Sequence, residues 1–286
     1  MLSKKLDVAN LPTPIHKLEH LSQRLGKEIY IKRDDYTGTE ISGNKVRKLE
    51  YTIQYVIDHG YDTIITTGAI TSNHARATAA LCAKYQIECH LVLKGTMKAF
   101  EGNLFLDAMF GAHIHVIDDN QSREIAMTQL RHTLEGKNKT PFMIPTGASD
   151  WIGTHGYINA FEEILRQAAE LGCHFDSINV AVGSGGTYAG LWFGKHSNKL
   201  DTKIIGYAVN ESAATFKNKV QTIINHLDES IDTFDTITIN DCYIGLGYAQ
   251  ATDEELAFYI DIAQLEGIVL DPTYTGKAFR GMVKEI

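Results

Sequence analysis

Apolar positions along this chain follow two alternating patterns, short β-rich runs and longer stretches with a helical period. The stretch SGNKVRKLEYTIQYV, residues 42–56, predicts an amphipathic helix that begins near Lys45, with Gly43 and Asn44 as its N-cap. The apolar residues that recur at the helical period are Val46, Leu49, Ile53, Val56 and Ile57.

The β-rich runs are separated by helical patterns, which is typical of βαβ units and predicts mostly parallel sheets with helices on both faces. We expect an α/β chain with two lobes, each an open sheet flanked by helices. Residues 53–140 are predicted to form the small lobe, and residues 1–52 together with 141–286 the large lobe. The runs are EIYIKR, DTIITT, ECHLVLK, HIHVID, SINVAV and KIIGYAV.

Net charge and composition indicate which classes of binding partner to expect. The 286 residues carry a formal net charge of −8, which argues against a nucleic-acid or anionic membrane surface and favours a small-molecule ligand. No stretch approaches the roughly 18–20 apolar residues that cross a bilayer, and the N-terminus lacks a signal-peptide run, so we expect a cytoplasmic protein.

Cysteine spacing predicts no disulfide framework and no zinc site, because no C-x-x-C pair occurs. The 4 cysteines are expected to be buried hydrophobic residues, and no metal ligand set is predicted. They are Cys82, Cys89, Cys173 and Cys242.

Ligands of open α/β sheets collect beyond the carboxyl ends of the strands, so the strand-to-helix junctions are the places to search. The junction GSGGTYAGL, residues 183–191, combines glycines with Ser184 and Thr187 ahead of a helix. Backbone N–H groups of such a loop can hold an anion such as phosphate. It lacks the Lys-Ser/Thr ending of a Walker A loop, and Tyr188 takes the third glycine position of a dinucleotide loop. A tight turn without a ligand is the alternative.

Two further junctions carry candidate chemistry. TSNHARA, residues 71–77, offers a hydroxyl, an amide and a helix N-terminus that suit a carboxylate, although Ser72 and Asn73 could simply cap the helix. LDPTYTGKAFRGM, residues 270–282, and GLGY, residues 245–248, place Tyr274 and Tyr248 on turns, where both could also be ordinary packed residues.

Lys45 and Lys48 fall in the first turn of the predicted helix, where the partial positive charge of the N-terminus should cost about 0.3–1 kcal/mol per cation. A bound anion, or a lysine without its charge, would remove this conflict. The alternative is that both lysines lie on a solvated helix face.

Taken together, SGNKVRKLEY, TTGAITSNHARATAA, AVGSGGTYAGL, IGLGY and LDPTYTGKA resemble, in order and spacing, the D-cysteine desulfhydrase and 1-aminocyclopropane-1-carboxylate deaminase family. These are fold type II pyridoxal-phosphate enzymes related to the tryptophan synthase β chain. The resemblance runs from about residue 10 to the last residue. It implies the two-lobed fold, a pyridoxal 5′-phosphate cofactor, a small amino-acid substrate and a homodimer.

The resemblance also implies residue roles. Lys45 would bond covalently to the cofactor, Lys48 and the 183–187 loop would bind its phosphate, and Asn73 would donate to its 3′-oxygen. The residues assigned to the cofactor are Asn44, Lys45, Lys48, Asn73, Gly183, Ser184, Gly185, Gly186, Thr187 and Thr275. The residues assigned to the substrate are Ser72, Asn73, His74, Tyr248 and Tyr274, and the catalytic set is Lys45, Ser72 and Tyr274.

Thr275 is expected to face the pyridine nitrogen of the cofactor. The ring-opening deaminases of the family are similar but carry Tyr-Glu where this chain has Tyr274 and Thr275. A neutral hydroxyl implies a weaker electron sink, which suits elimination of a good β leaving group. We therefore expect a lyase acting on D-cysteine or a similar β-substituted amino acid. The alternatives are a cyclopropane deaminase, a cysteate sulfo-lyase, and a pyridoxal-phosphate-binding protein with little turnover.

The chain departs from the family pattern at its end. Family members continue past the GKAFRGM helix into a strand and a glycine-rich HTGG turn near the pyridine nitrogen, whereas this sequence ends at Ile286. The expectation is that a sheet edge and one wall of the cofactor site are missing.

Overall fold

The computed structural model describes residues 2, 4–38, 42–96, 99 and 101–286. Strands and helices alternate along most of these residues, as the sequence predicts. The strands are β1 (Ile15–Lys17), β2 (Tyr30–Lys32), β3 (Thr63–Ala69), β4 (Glu88–Lys94), β5 (His113–Ile117), β6 (Pro141–Met143), β7 (Ser177–Val182), β8 (Lys203–Ala208) and β9 (Thr238–Asn240). The α-helices are α1 (Glu19–Leu25), α2 (Lys45–Asp58), α3 (Asn73–Tyr85), α4 (Gly102–Met109), α5 (Arg123–Glu135), α6 (Trp151–Leu171), α7 (Gly186–Ser197), α8 (Ala213–Leu227), α9 (Asp253–Glu266) and α10 (Thr275–Glu285). Short 3-10 turns occur at Asp34–Tyr36, Thr146–Ala148 and Phe234–Thr236.

The chain divides into two compact units. Unit 1 comprises Met1–Leu11 and Asp34–Gly156, and unit 2 comprises Pro12–Arg33 and Tyr157–Ile286. The predicted division, with a small lobe at residues 53–140, partitions the chain differently and stays a prediction.

Unit 1 is built on a four-stranded parallel sheet in the order β5-β4-β3-β6. Side chains of α2, α3 and α4 form one core on this sheet, in which Leu49, Leu81 and Leu91 are fully buried. Side chains of α5 form a second core with Ile65 and Val92. Because alternate residues of β3 and β4 point to opposite faces, both faces are covered and the strands read as continuous apolar runs.

Helix α2 is buried nearly all round, which the sequence pattern did not predict. Val46, Leu49, Ile53 and Val56 are buried as expected, but so are Arg47, Lys48, Glu50 and Thr52, while the predicted core residue Ile57 is 40% exposed. The polar side chains are tolerated because they are paired. The Glu50 carboxylate accepts from the N–H groups of residues 8 and 9, each at 2.9 Å, and from the Lys5 ammonium at 2.7 Å. The predicted helix is therefore confirmed, and the alternative that Lys48 lies on a solvated helix face is wrong.

Unit 2 contains a three-stranded parallel sheet in the order β7-β8-β9. Helices α6, α7 and α8 supply a core that includes Phe161, Tyr188 and Phe216. The run EIYIKR differs from the prediction, because among the described residues β2 pairs with β1 alone, in an antiparallel two-stranded sheet. This pair of short strands packs with α1, α9 and α10 around Leu21, Ile262 and Leu270.

The cysteines are only partly as predicted. Cys82 and Cys89 are buried, whereas Cys173 is half-buried and Cys242 is exposed. Cys242 lies in a turn after β9, where its N–H donates to Asn240 Oδ1 at 2.8 Å, so the backbone of the turn and not burial of the thiol sets its position. No helix in the described ranges is both long and apolar enough to cross a membrane.

Candidate active site

Lys45 and Lys48 lie in the first turn of α2, as predicted, but in different surroundings. Lys45 is half-buried, and its Nζ donates to Asn44 Oδ1 at 3.1 Å. Asn44 occupies the N-cap position, as predicted, but its side chain makes no capping hydrogen bond. The Asn44 amide oxygen accepts from the lysine instead of from the helix N–H groups.

Lys48 is fully buried. Its Nζ donates to the Gly147 carbonyl oxygen at 3.2 Å and to Ser149 Oγ at 3.1 Å, and in the described part of the chain no carboxylate forms an ion pair with it. Burial, with the neighbouring charge of Lys45, lowers the pKa of Lys48 well below its usual range, against a smaller opposing effect of Asp150. A buried ammonium with two neutral acceptors is the kind of group that a bound anion stabilises.

His74 lies next to both lysines, on the first turn of α3. Its Nε2 is 2.8 Å from Thr66 Oγ1, and its buried Nδ1 has no hydrogen-bond partner among the described residues. Burial, with the charges of Lys45 and Lys48, lowers the pKa of His74 to about 3. The imidazole is therefore neutral at neutral pH and adds no third charge.

Ser72 and Asn73 lie at the start of α3, beyond the end of β3. Ser72 Oγ accepts from the Ala75 N–H at 3.2 Å, so the predicted cap is present. A Cβ at Gly68, one residue before the end of β3, would lie 2.5 Å from Ser72 Oγ, so the close approach of Ser72 requires a glycine there. Asn73 Oδ1 accepts from Asn103 Nδ2 at 2.9 Å, and Asn103 Nδ2 also donates to the Thr71 carbonyl at 2.8 Å. This arrangement turns the Nδ2 donor of Asn73 away from Asn103.

The glycine-rich loop of unit 2 has the predicted strand-loop-helix order. Strand β7 ends at Val182, and α7 begins at Gly186. Gly185 has a φ of +93°, which favours glycine, and a Cβ at Gly183 would lie 2.9 Å from Tyr274 Cε1. Thr187 is buried on the first turn of α7, where a helix N-terminus favours a negative charge. Tyr188, which breaks the dinucleotide pattern, is buried and donates to the Ile204 carbonyl at 3.0 Å.

Tyr248 and Tyr274 are brought together in unit 2, as the resemblance implies. Their hydroxyl oxygens lie 2.7 Å apart and their rings meet edge to face, with centroids 5.8 Å apart. The Tyr248 loop is held by the buried Lys277, whose Nζ donates to the carbonyls of Ile244 at 2.7 Å and Val209 at 3.2 Å, and to that of Gly247. Lys277 therefore has a structural role that sequence reasoning missed.

Thr275 begins α10 and is tied to Asp271. Its Oγ1 donates to Asp271 Oδ1 at 2.7 Å and accepts from the Asp271 N–H at 2.8 Å. The same carboxylate accepts from the N–H groups of Thr273, Tyr274 and Thr275 at 2.8–2.9 Å. Asp271 thus fixes the turn that leads into α10 and that positions Tyr274 and Thr275. An Asp side chain that accepts from N–H groups two to four residues ahead is typical of turns, so this role could have been found in the sequence.

Comparison with known proteins identifies the family of this chain. Residues 6–286 match the sequence profile described as pyridoxal-phosphate dependent enzyme. The chain belongs to this family. Its cofactor is pyridoxal 5′-phosphate.

Three relatives show the place within the family. A bifunctional D-cysteine desulfhydrase/1-aminocyclopropane-1-carboxylate deaminase of Arabidopsis thaliana, mitochondrial by name, is 39% identical over 99% of this chain and 74% of its own length. A D-cysteine desulfhydrase of Serratia proteamaculans is 37% identical over 98% of this chain and 87% of its own. A crystal structure of a protein described as an ACC deaminase homologue has a TM-score of 0.89 and 36% identity, covering 98% of this chain and 86% of that one. The predicted fold type II class is confirmed by these matches.

The residues present in each unit fit a member of this family. Unit 1 supplies an amine at a helix N-terminus (Lys45), a buried ammonium without a carboxylate partner (Lys48), and an orphaned buried nitrogen (His74 Nδ1). Unit 2 supplies a glycine loop in a conformation that favours glycine, ahead of a helix N-terminus. These are the features that a covalently bound aldehyde with a phosphate requires.

Proposed function

We propose that this enzyme is a lyase that converts D-cysteine, or a similar β-substituted amino acid, to pyruvate, ammonia and the displaced group. With D-cysteine and water as reactants, the displaced group is sulfide. The observation that carries the proposal is Thr275, a neutral residue whose hydroxyl is bonded to Asp271, at the position where the ring-opening deaminases resemble this chain but carry Glu.

We assign Lys45 to the covalent bond with the cofactor. Once the substrate amine has replaced it there, the freed amine of Lys45 would remove the Cα proton. A lysine base must lose its own proton first, and Asn44 Oδ1 accepts from the Lys45 amine at 3.1 Å. Pyridoxal phosphate, when bound, supplies the electron withdrawal that makes the Cα proton acidic.

The substrate carboxylate is assigned to the start of α3. Ser72 Oγ accepts from the Ala75 N–H, so the hydroxyl proton of Ser72 can be donated to a ligand. The first N–H groups of a helix have no intrahelical acceptor and suit a carboxylate. His74, on the same helix turn, is uncharged at neutral pH and therefore adds no charge that would act on the carboxylate.

The leaving thiolate is assigned to the Tyr274 and Tyr248 pair. The 2.7 Å hydrogen bond between their hydroxyl groups lets one phenol replace a proton that the other has donated. A phenol is a competent acid for a departing thiolate because the charge that develops on sulfur strengthens the hydrogen bond. Lys277 holds the loop of Tyr248 at this position.

Phosphate binding is assigned to Gly183, Ser184, Gly185, Gly186 and Thr187, with Lys48 as a further donor, and the 3′-oxygen is assigned to Asn73. Support comes from the Asn103 contact, which fixes the Asn73 amide oxygen and leaves its nitrogen as the donor. We also propose that the enzyme is cytoplasmic and a homodimer. Size-exclusion chromatography with light scattering would test the dimeric state.

A substrate panel tests the proposed function. Pyruvate release should be measured from D-cysteine, L-cysteine, β-chloro-D-alanine and L-cysteate, and 2-oxobutyrate release from 1-aminocyclopropane-1-carboxylate. We expect D-cysteine and β-chloro-D-alanine to react. Turnover of L-cysteate alone would instead indicate a sulfo-lyase, and bound cofactor without release from any substrate would indicate a binding protein.

The cyclopropane deaminase is the second candidate, favoured by the bifunctional name of the Arabidopsis relative. Thr275→Glu separates the two, because a carboxylate at the ring nitrogen would keep it protonated. The ratio of cyclopropane to D-cysteine activity should rise in Thr275→Glu and stay unchanged in Thr273→Glu, a nearby control on the same turn. A wild-type enzyme that already prefers the cyclopropane substrate would contradict the desulfhydrase assignment.

A further inference from the structure

A cluster of histidines lies in unit 1 on the sheet face that α5 covers. Glu88 and His90 are two residues apart on β4 and therefore point to the same face. His113 of β5 pairs directly with His90, and His115 pairs with Val92, whose side chain belongs to the core under α5. The alternating E-x-H and H-x-H patterns of two adjacent parallel strands thus bring four polar side chains together.

The contacts within this cluster are close. His90 Nε2 is 2.9 Å from Glu88 Oε1, and His90 Nδ1 is 3.0 Å from His115 Nε2. The rings of His90 and His113 stack with centroids 4.6 Å apart. One ligand atom from each of Glu88, His90 and His113 can be chosen so that all three lie within 4.8 Å of one another.

We propose that Glu88, His90 and His113 bind a divalent transition-metal ion of the Zn²⁺ or Co²⁺ class. Two imidazoles and a carboxylate are a ligand set that such ions prefer, and three protein ligands leave the fourth tetrahedral position for water. Bonds of about 2.0–2.1 Å place tetrahedral ligand atoms about 3.3 Å apart. The exposed His113 side chain can close the remaining distance by rotating towards His90.

His115 is the positioning residue of this site. When His90 Nε2 is the metal ligand, its proton resides on Nδ1 and donates to His115 Nε2, which fixes the ring orientation.

Two lysines are also near. Lys139 Nζ bonds Glu88 Oε2 at 2.5 Å, which leaves Oε1, the oxygen facing His90, for the ion. The charge of Lys137 acts on His90 from a greater distance and favours its neutral form. The site therefore carries little net charge without metal, and hard cations such as Mg²⁺, which prefer several oxygen ligands, should not compete.

Calorimetric titration of the EDTA-treated holoenzyme, freed of unbound cofactor, with Zn²⁺ tests the proposal. We expect one ion per chain and no displacement by excess Mg²⁺. His113→Ala should weaken binding by at least about tenfold, and His115→Phe by about 10–100-fold. His20→Ala, an exposed histidine of unit 2, is the matched control and should bind as wild type.

Cobalt supplies a second measurement that distinguishes this site from metal held by the cofactor phosphate. Co²⁺ in a tetrahedral site shows intense visible ligand-field bands, which we expect in wild type and His20→Ala but not in His113→Ala. Equal Zn²⁺ affinity in wild type and His113→Ala would overturn the proposal, as would the absence of stoichiometric binding by wild type. Thermal melts of the metal-free variants should coincide with wild type, since His113 is exposed.

Discussion

Replacing the buried Lys48 with methionine tests two effects of this lysine. We expect Lys48 to lower the stability of the apoprotein and to strengthen cofactor binding in the holoenzyme. Methionine has a similar length and no charge, so it fills the same space between α2 and the 147–149 turn. What it removes is an ammonium that has no carboxylate partner in the described residues and two neutral hydrogen bonds, to Gly147 O and Ser149 Oγ.

The magnitude follows from linkage. Each unit by which the folded state lowers the pKa of Lys48 from 10.5 costs about 1.4 kcal/mol of stability wherever the unfolded chain would be protonated. Between the lowered pKa and 10.5 the unfolded state binds more protons, so the apoprotein should gain up to about 1.4 kcal/mol per pH unit as the pH rises. Lys48→Met abolishes this gain. Near neutral pH the variant apoprotein should be more stable than the wild type, because removal of the buried amine outweighs the loss of two hydrogen bonds of about 1 kcal/mol each.

The holoenzyme should respond in the opposite direction. A charge-assisted bond to the cofactor phosphate contributes about 1.5–3 kcal/mol, so its loss should weaken cofactor retention by about 10–100-fold. The added stability that saturating pyridoxal phosphate gives to wild type should shrink accordingly in Lys48→Met.

Thermal melts from pH 7 to 10, with and without cofactor, measure both effects. The exposed Lys84, at the end of α3, provides the control variant Lys84→Met, which should leave the pH slope and the cofactor response intact. An apoprotein whose pH slope is the same in wild type and Lys48→Met, or a variant that keeps the full cofactor response, would refute the reasoning.

Three other variants test separate parts of the structure. Burial raises the pKa of Asp107 to about 7, and both its carboxylate oxygens lack partners among the described residues. The stability of the wild type should therefore decrease as the pH rises from about 4 to about 7, and melts across that range should show a smaller decrease in Asp107→Asn. Gly185→Ala should cost about 1–2 kcal/mol in apo and holo melts because φ is +93°, and should also raise the dissociation constant of the cofactor in a fluorescence titration; an unchanged dissociation constant would favour a plain turn. Lys277→Met should leave cofactor binding intact but raise the KM for D-cysteine, because the Tyr248 loop loses two hydrogen bonds, at Ile244 and Gly247.

Much of the fold follows from local patterns. The parallel strands β3, β4, β5, β7 and β8 lie where the β-rich runs predicted them, because buried parallel strands read as continuous apolar segments. The antiparallel pairing of β2 was not predictable in this way, since three residues carry no signal about which neighbour they will meet.

The burial of α2 shows a second limit of the pattern. Its period correctly predicts where Val46 and Leu49 point, but polar residues on the other faces are read as solvated by default. Burial of Arg47 and Glu50 depends on partners distant in sequence, such as the Asp34 carboxylate, which pairs with Arg47 at 2.8 Å, and Lys5. The residues next to a charged side chain in the sequence do not show that a distant partner will stabilise its burial.

Some residues of the candidate site have a local sequence signal and others do not. Lys45, the 183–187 loop and the Tyr248 and Tyr274 pair stand out in the sequence because they lie at helix starts or on glycine-flanked turns, whereas their roles come from the family resemblance and stay predictions. Asn103 was missed because nothing in its own segment indicates that it donates to Asn73. The histidine cluster has no local signature, because Glu88, His90 and His113 occupy alternate positions of two strands that come together only when the sheet forms.

The central claim, that Lys45 is the residue bonded to the cofactor, is tested most directly by borohydride reduction of the holoenzyme followed by peptide mapping. The account predicts a reduced, cofactor-derived label on Lys45 alone, and loss of both the label and the visible absorbance in Lys45→Ala. A label on Lys48, Lys277 or any other lysine, or an unchanged label in Lys45→Ala, would contradict it.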